Sequence, residues 1–539
     1  MAAPKLIASS RAFSPKIAVR DAMSDPGPQQ QPAPLTGARL AITSFALALG
    51  TFMQVLDTTI ANVSLPTIAG NLGASTDQGT WVITSFAVAN GVTVPLTGWL
   101  MGRFGVVRTF VLSVSLFTLA SFLCGIAWNL PVLIVFRILQ GIVSGPMIPG
   151  SQALLISIFP PQKRGTALGI WSITTLVAPI LGPILGGYIS DNMHWGWIFL
   201  INVPVGLLSA VVCWLNLSSR ETPTRKLPID TIGLALLILW VGALQIMFDT
   251  GKDADWFSST RIVVLAAVAA IGGVAWIIWE MTDSHPVVDL SLFSKRNFAL
   301  GTLATCVGYA VFFANVLLLP LWLQTNLGYT ATWAGLVAAP SGLVAVLVSP
   351  LVTPSLARFD ARWVGTFAFL AFAVSYFMRA DLTADAGFWD LVKPLLVQGI
   401  AMGFFFVTMI TISFDGLPPE RIPSASGISN FARITGGAFA ASIVTTLWDR
   451  REAFHQSRLV ESATVYSPAM QHTLDHLDRL NVGDPQSYAL LARTVSTQAY
   501  LLASDELFWL SGWLSLLTIG LVWLARRPAG AHAGPAAAD

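Results

Sequence analysis

An acid and two bases lie deep in apolar sequence, where charge is expensive. Asp57 sits near one end of the apolar stretch that carries LDTTIANVSLP (Leu56–Pro66). An ionised carboxylate at bilayer depth costs about 2.5–3.5 kcal/mol on insertion scales. Arg137 lies in a second apolar stretch and Arg433 in a third. A buried acid and a buried base in a chain that crosses a membrane many times fit a proton- or ion-coupled carrier. For Arg137 a purely structural ion pair and a snorkelling side chain remain open. Around Arg433 the sequence is polar: Ser424, Ser426, Ser429, Asn430 and Thr435 fall within one short segment. Asn430 shares a helix face with Arg433 at i,i+3. Either Arg433 pairs with a backbone carbonyl or an acid, or it faces a cavity and meets an anionic cargo.

The frame that must position these residues is a membrane frame. The chain has 539 residues, of which 54% are hydrophobic and only 11% charged. Soluble domains carry about 25% charged residues. Mean hydropathy is +0.68. These values predict an all-α integral membrane protein embedded in the lipid bilayer. The net charge of +2 gives no reason to expect a nucleic-acid partner. Cys124, Cys213 and Cys306 all fall inside apolar stretches and read as packing residues. His472 and His476 have the i,i+4 spacing of some zinc sites, but no third ligand accompanies them, so no metal is expected. The patterns H-E-x-x-H, G-x-S-x-G and G-x-x-x-x-G-K-[ST] do not occur, so neither enzyme chemistry nor a cofactor is expected.

A helix needs about 20 apolar residues to cross the bilayer. Fourteen stretches qualify, near 39–62, 79–101, 107–127, 130–157, 166–190, 195–217, 229–249, 261–280, 297–324, 332–357, 362–380, 388–413, 422–447 and 506–525. Residues 1–36 hold basic residues but no apolar core, and Ser24–Pro34 is rich in Pro and Gln. This segment reads as a disordered cytoplasmic tail, followed by an uncleaved anchor helix. Alternate loops concentrate Lys and Arg, among them Arg103, Arg108, Lys163, Arg220, Arg296 and Arg421. The short loops on the other side hold only Lys252, Arg261 and Arg379. The positive-inside rule then places both termini in the cytoplasm. In that orientation Asp57 and Arg137 lie ~8 and ~10 Å below the outer surface, and Arg433 is ~16 Å from the inner one.

The chain also matches itself at a shift of 258 residues. Gln140-Gly141-Ile142 matches Gln398-Gly399-Ile400, Gly145 matches Gly403, and Pro160-Pro161 matches Pro418-Pro419. This equates spans 4 and 5 with spans 12 and 13. A six-helix duplication would shift by only six spans, so two helices are inserted between the copies. The expected division is a first six-helix half at 37–217, a linker with two inserted helices at 218–296, and a second half at 297–525. The second half includes a long outer, periplasmic segment at 448–505, and a cytoplasmic tail follows at 526–539. Such parallel repeats are the architecture of major facilitator carriers, with substrate held between the halves near the midplane.

Four motifs carry a closer resemblance. They are LDTTIANVSLPTIAGNLGAS in span 1, GWLMGRFGVVR after span 2, RILQGIVSGPMIPG in span 4 and APILGPILGG in span 5. Together they resemble the fourteen-span drug:proton antiporters of the major facilitator superfamily. GTWVITSFAVANGVTVPLTGWL and WIFLINVPVG resemble the EmrB-type multidrug efflux permeases more narrowly. The likeness covers nearly the whole chain apart from the two tails.

The resemblance implies a bacterial inner-membrane carrier that exchanges protons for small amphipathic, weakly acidic compounds by alternating access. It implies proton-coupling roles for Asp57 and Arg137. Pro179, Gly182, Pro183, Gly186 and Gly187 would form the antiporter hinge motif, although a generic packing seam is an equally simple reading. In the loop motif Gly98, Arg103, Gly105 and Arg108 match. The usual acid is replaced by Gly102, which puts any gating salt bridge built on that acid in doubt. Candidate cavity residues are Gln54, Asn90, Gln140, Asn315, Gln398, Asn430 and Arg433. A periplasmic membrane-fusion adaptor and an outer-membrane channel are the implied partners. An exporter dedicated to one metabolite, or a non-transporting membrane sensor, would share the composition.

Overall fold

The computed structural model describes residues 34–527, apart from 161–162, 225–227, 284–285, 463, 465–466 and 480–483. The predicted tails therefore lie outside the described residues except at 34–36 and 526–527. Every regular element among the described residues is helical. The first bundle holds α1 (Gly37–Asn71), α2 (Thr76–Gly79), α3 (Trp81–Thr93), α4 (Thr97–Phe104), α5 (Val106–Gly125), α6 (Leu130–Ser144), α7 (Met147–Ile158), α8 (Arg164–Asn192), α9 (Trp197–Leu200) and α10 (Asn202–Leu217). Two helices follow, α11 (Thr231–Gly251) and α12 (Thr260–Thr282). The second bundle holds α13 (Arg296–Thr325), α14 (Ala331–Arg358), α15 (Ala361–Ala380), α16 (Phe388–Ser413), α17 (Ile422–Ser462), α18 (Pro468–Arg479) and α19 (Asp484–Leu524).

All fourteen predicted stretches fall on these helices. Among the described residues, length and composition credit twelve single spans, and thirteen when the bent pair α3–α4 counts as one. That pair turns by 60° at Pro95, whose ring removes a backbone donor and clashes with the preceding turn. The stretch that falls short of the hydropathy criterion lies on α17. The polar run from Ser424 to Thr435 lowers its mean hydropathy.

Packing follows the chain order. Within the first bundle α1 lies against α8 and α10, α3 against α6, and α5 against α6 and α10. Within the second, α13 lies against α17 and α19, α15 against α16 and α19, and α14 against α16. The pair α11–α12 packs on itself and touches α3 and α17. The bundles meet along α8 and α14, and where α4 and α7 reach α17.

One end of the structure, the basic end, is stitched by main-chain and arginine bonds. Leu35 N donates to Ile158 O at 3.0 Å. Arg39 donates to Asn216 O at 3.1 Å, and Arg296 to Leu524 O at 2.8 Å. At the far end, segment 448–505 is mostly helix. α17 and α19 each run 41 residues, or about 60 Å, twice the hydrocarbon thickness. Both continue straight out of their spans. The aromatic rings of Trp448 and Tyr500 lie 4.6 Å apart, and Trp448 Nε1 donates to Ser504 Oγ at 2.8 Å. Arg451 grips Glu506 with two bonds, of 2.5 and 2.6 Å. The short helix α18, with exposed His472 and His476, lies between them.

The acid missing from the loop motif is supplied from elsewhere. Gly105 has φ +92°, a conformation that L side chains avoid, and a Cβ there would strike the Glu221 side chain. Glu221, just past α10, accepts from Val107 N at 3.0 Å and Arg108 N at 2.8 Å. It thereby satisfies free donors at the start of α5 and complements the helix dipole. The Arg108 side chain stands 3.9 Å from the same carboxylate. Hydrogen bonds to a charged group contribute about 1.5–3 kcal/mol net. Glu221→Ala is therefore expected to lower the melting temperature of the purified protein, while Glu221→Gln retains part of the loss. Equal melting curves for parent and alanine variant would remove this capping role.

Candidate functional site

The sequence places Asp57 on α1 twenty residues from Gly37, and Arg137 seven residues into α6. The helices bring them together. Arg137 Nη1 donates to Asp57 Oδ2 at 2.5 Å, with side-chain exposures of 1% and 0%. Two amides complete the shell of the acid: Gln140 Nε2 donates to Asp57 Oδ1 at 3.0 Å, and Asn202 Nδ2 donates to the same oxygen at 2.9 Å. Asn202 is in turn 3.0 Å from Ser121 Oγ, whose hydroxyl donates to Phe199 O at 2.9 Å. Donors from α6 and α10 thus converge on a carboxylate of α1, with α5 and α9 behind Asn202.

The guanidinium is held independently of the acid. Arg137 Nε donates to Val82 O at 3.0 Å, and Nη1 also reaches Gln140 Oε1 at 2.7 Å. The ring of Phe86 lies 4.3 Å from its carbon and that of Phe199 5.4 Å away, a cation–π sandwich. Val82 O comes this close because α3 and α6 cross at Gly141. A Cβ there would lie 2.6 Å from Phe86 O and 2.7 Å from Ala89 Cβ.

The hydrogen-bond inventory defines what the cluster can do. Asp57 accepts three donated hydrogens, one on Oδ2 and two on Oδ1. Apart from its bond to the acid, Arg137 keeps Val82 O, Gln140 Oε1 and two aromatic rings.

Other predicted residues form separate groups. Asn90 donates to Ser144 Oγ at 2.5 Å, across the same α3–α6 crossing but outside the Asp57 shell. Gln54 is buried, and its Oε1 has no partner among the described residues. Asn315 donates to Val311 O and to Ser511 Oγ, at 2.8 and 2.9 Å. Gln398 accepts from Arg379. Arg379 departs from its expected place in an outer loop: it is fully buried in the last turn of α15. Asn430 and Arg433 sit where the bundles meet. Asn430 Nδ2 donates to Gln152 Oε1 of α7 at 3.2 Å, and Ser426 Oγ bonds the same oxygen. Arg433 donates to Asn430 Oδ1 at 3.0 Å and lies over Tyr309, at 4.6 Å, and Trp171, at 6.0 Å. Trp171 belongs to the first bundle, Tyr309 to the second. No carboxylate pairs with Arg433 among the described residues.

The glycines of span 5 face α1 just beyond Asp57. A Cβ on Gly182 would strike Thr59. On Gly186 it would lie 3.0 Å from Ile60 Cγ1 and 3.1 Å from Ile60 O. Thr59 Oγ1 donates to Ala178 O at 3.4 Å, and Ser64 Oγ to Gly186 O at 3.4 Å. α8 runs unbroken through Pro179, Pro183 and Gly187. In the loop motif, Gly98 lies against Ser424 of α17, and Arg103 occupies the last turn of α4. The residues sequence reasoning missed are Asn202, Ser121 and Gln152. Asn202 stands out as an amide inside WIFLINVPVG, whereas a lone serine in an apolar helix gives little signal.

Comparison with known proteins agrees with this architecture. The Major Facilitator Superfamily model matches residues 47–441. The chain is 48% identical over 507 residues to "Multidrug export protein EmrB" of Escherichia coli K12, covering 94% of this chain and 99% of that protein. It is also 48% identical to "Fatty acid resistance protein FarB" of Neisseria gonorrhoeae, over 92% of this chain and 98% of that one. Among solved structures, the proton:xylose symporter XylE superposes with a TM-score of 0.57 at 14% identity, covering 90% of this chain and 95% of that one. A human organic anion transporter gives 0.55 at 12% identity, covering 90% and 100%. These two likenesses bear on the fold.

Removing one member of a buried ion pair costs about 3–5 kcal/mol, because the other charge is left uncompensated. Arg137→Ala is expected to lower the melting temperature strongly. The double variant Arg137→Ala/Asp57→Asn should recover much of that loss. A double variant as unstable as the sum of the singles would show that the two residues do not stabilise each other.

Proposed function

The chain belongs to the major facilitator superfamily and, within it, to the EmrB-type permeases, and we propose that it exports small amphipathic compounds across the bacterial inner membrane in exchange for protons. The observation that carries the reading is the fully buried Asp57–Arg137 pair, whose acid accepts from Arg137, Gln140 and Asn202. A proton on the acid removes its attraction for Arg137 and loosens α1 from α6. The α1–α8 seam at Gly182 and Gly186 supports the same reading, since it lets α1 slide against a smooth neighbour beside the acid. The basic end faces the cytoplasm, as the distribution of arginines supports.

The two packed bundles are read as the six-helix halves, with α11–α12 inserted and α17 as the fourteenth span. The far-end hairpin of α17 and α19 offers a periplasmic membrane-fusion adaptor, with an outer-membrane channel beyond it, a rigid surface to grip. Export of a range of compounds is favoured over a dedicated exporter by the name of the Escherichia coli relative. No observation favours a non-transporting sensor.

The decisive experiment uses proteoliposomes and a pH-sensitive dye. Adding cargo should release protons from the parent, and Asp57→Asn, compared at an equal amount of folded and inserted protein, should lose this release. Uphill export driven by a pH gradient in Asp57→Asn would end the proton-carrier role.

Arg433 sets the expectation for cargo charge. It is a buried cation with aromatic walls and an amide, and it has no acid partner among the described residues. Such a site suits a carboxylate or a polarised carbonyl attached to an apolar body. The name of the Neisseria relative is consistent with an acidic, long-chain cargo. Resistance of a pump-deficient host to an aromatic or fatty carboxylate should exceed its resistance to a quaternary ammonium dye, and Arg433→Ala should abolish the difference. Strong resistance to the dye alone, unchanged in Arg433→Ala, would reverse the assignment.

A further inference from the structure

The 258-residue repeat relates more than the motifs. It carries Gln140 onto Gln398 and Asp57 onto Asn315. Both glutamines hold a buried arginine through Oε1: Arg137 in the first bundle and Arg379 in the second. The acids differ. Where the first bundle has Asp57, the second has the neutral Asn315, bonded to Ser511. Arg379 is therefore a buried cation with no acid in its repeat-related shell.

Its surroundings are nearly dry. Its other contacts are Ser375 Oγ at 3.5 Å and the rings of Tyr376 and Phe508, 5.5 and 5.8 Å from the guanidinium carbon. Arg379 Nε is buried and has no partner among the described residues. One turn along α19 from Phe508, at i−3 and so on the same helix face, stands Asp505. Its Oδ1 is likewise buried and without a partner. The axial step from Phe508 to Asp505 is about 4.5 Å, so Asp505 lies one turn from the ring that faces the guanidinium. An orphaned donor and an orphaned acceptor of opposite charge thus sit on the tightly packed helices α15 and α19.

The geometry points to a second, proton-operated ion-pair switch formed by Arg379 and Asp505. Ionised Asp505 draws the guanidinium off Gln398. A proton taken from water at the far end onto the Asp505 carboxylate releases it back to the glutamine. The other charged groups around Asp505 are already engaged or repel it. Asp381, just after α15, is its like-charged neighbour. Glu506 beside it is taken by Arg451 and His455 of α17, and Glu452 of α17 is bonded to Ser496. α13 offers no charged side chain in its far half, and on α18 His472, Asp475 and His476 are exposed. Arg379 is the cation left to answer Asp505.

The switch deepens the proton exchange proposed above and rests on that reading only for its place in transport. Its test therefore starts without transport. Melting temperatures are measured for the full chain in lipid nanodiscs, for parent, Arg379→Gln, Asp505→Asn and the double variant, in alkaline and in acid buffer. In alkaline buffer the double variant should shift by clearly less than the sum of the singles. In acid buffer the shifts should add, because the acid is neutral in every variant that retains it. Additive shifts in both buffers would overturn the proposal. Should Arg379→Gln fail to fold, Arg379→Met takes its place: it also removes the charge, and additive shifts there in both buffers would overturn the proposal equally. In proteoliposomes Asp505→Asn should lose one step from the pH profile of cargo-driven proton release. A parent that releases no protons, yet shows the alkaline coupling, would remove proton exchange as the function and leave the switch standing.

Discussion

Two opposite charges 2.5 Å apart, with essentially no exposure to solvent, constrain everything around them. Neither residue would be tolerated alone at that depth. Their mutual attraction offsets desolvation only when the remaining hydrogen-bonding capacity is met. That demand explains the neighbours. Gln140 and Asn202 meet Asp57, Val82 O meets Arg137, and Phe86 and Phe199 cover the cation's faces. It also explains Gly141, since any side chain there would push α3 away and take Val82 O with it. A stability role alone would be served as well by hydrocarbon.

The charge that is paired in the first bundle is left open elsewhere. Arg433, at the meeting of the bundles, has aromatic walls and an amide. Arg379 has a glutamine and two rings. Both sites carry a buried nitrogen with no partner among the described residues. A transporter needs interactions of similar strength in more than one state, because a fully satisfied network would hold it in one of them. The saturated shell of Asp57 and the unsaturated shells of the two arginines are complementary answers to that need.

Much of this was legible in the sequence. Asp57, Arg137 and Gln140 stood out because polar groups in apolar spans are few, and the structure joins all three. The span pattern was legible because twenty-residue apolar runs have little else to become. Other features were hidden for physical reasons. Arg379 lies one residue from a helix end, where arginine usually snorkels to water, yet Phe508 of α19 and Tyr376 cover it. Glu221 replaces the loop acid from over a hundred residues away, and spacing within one motif cannot reveal that. The far-end segment 448–505 is polar, and its composition does not show how its helices pair. It stays helical because α17 and α19 brace each other through Trp448, Tyr500, Arg451 and Glu506.

Two spans give the cluster its reach. α3 gives way to α4 around Pro95, and α6 to α7 around Pro146, and the breaks lie side by side. A Cβ on Gly145 would lie 2.6 Å from the Thr93 carbonyl carbon, and Thr93 Oγ1 donates to Gly141 O at 3.2 Å. On one side of this level the helices carry Val82, Phe86, Arg137 and Gln140, the whole cradle of the guanidinium. On the other side the same chain segments carry Gly98, which fits against Ser424, and Gln152, which bonds Ser426 and Asn430 of the second bundle. The bend of α3–α4, held by this glycine contact against the single span of α6–α7, makes two rods rather than four independent helices. These two rods tie the level of the guanidinium cradle to the face where the first bundle meets α17 and its arginine.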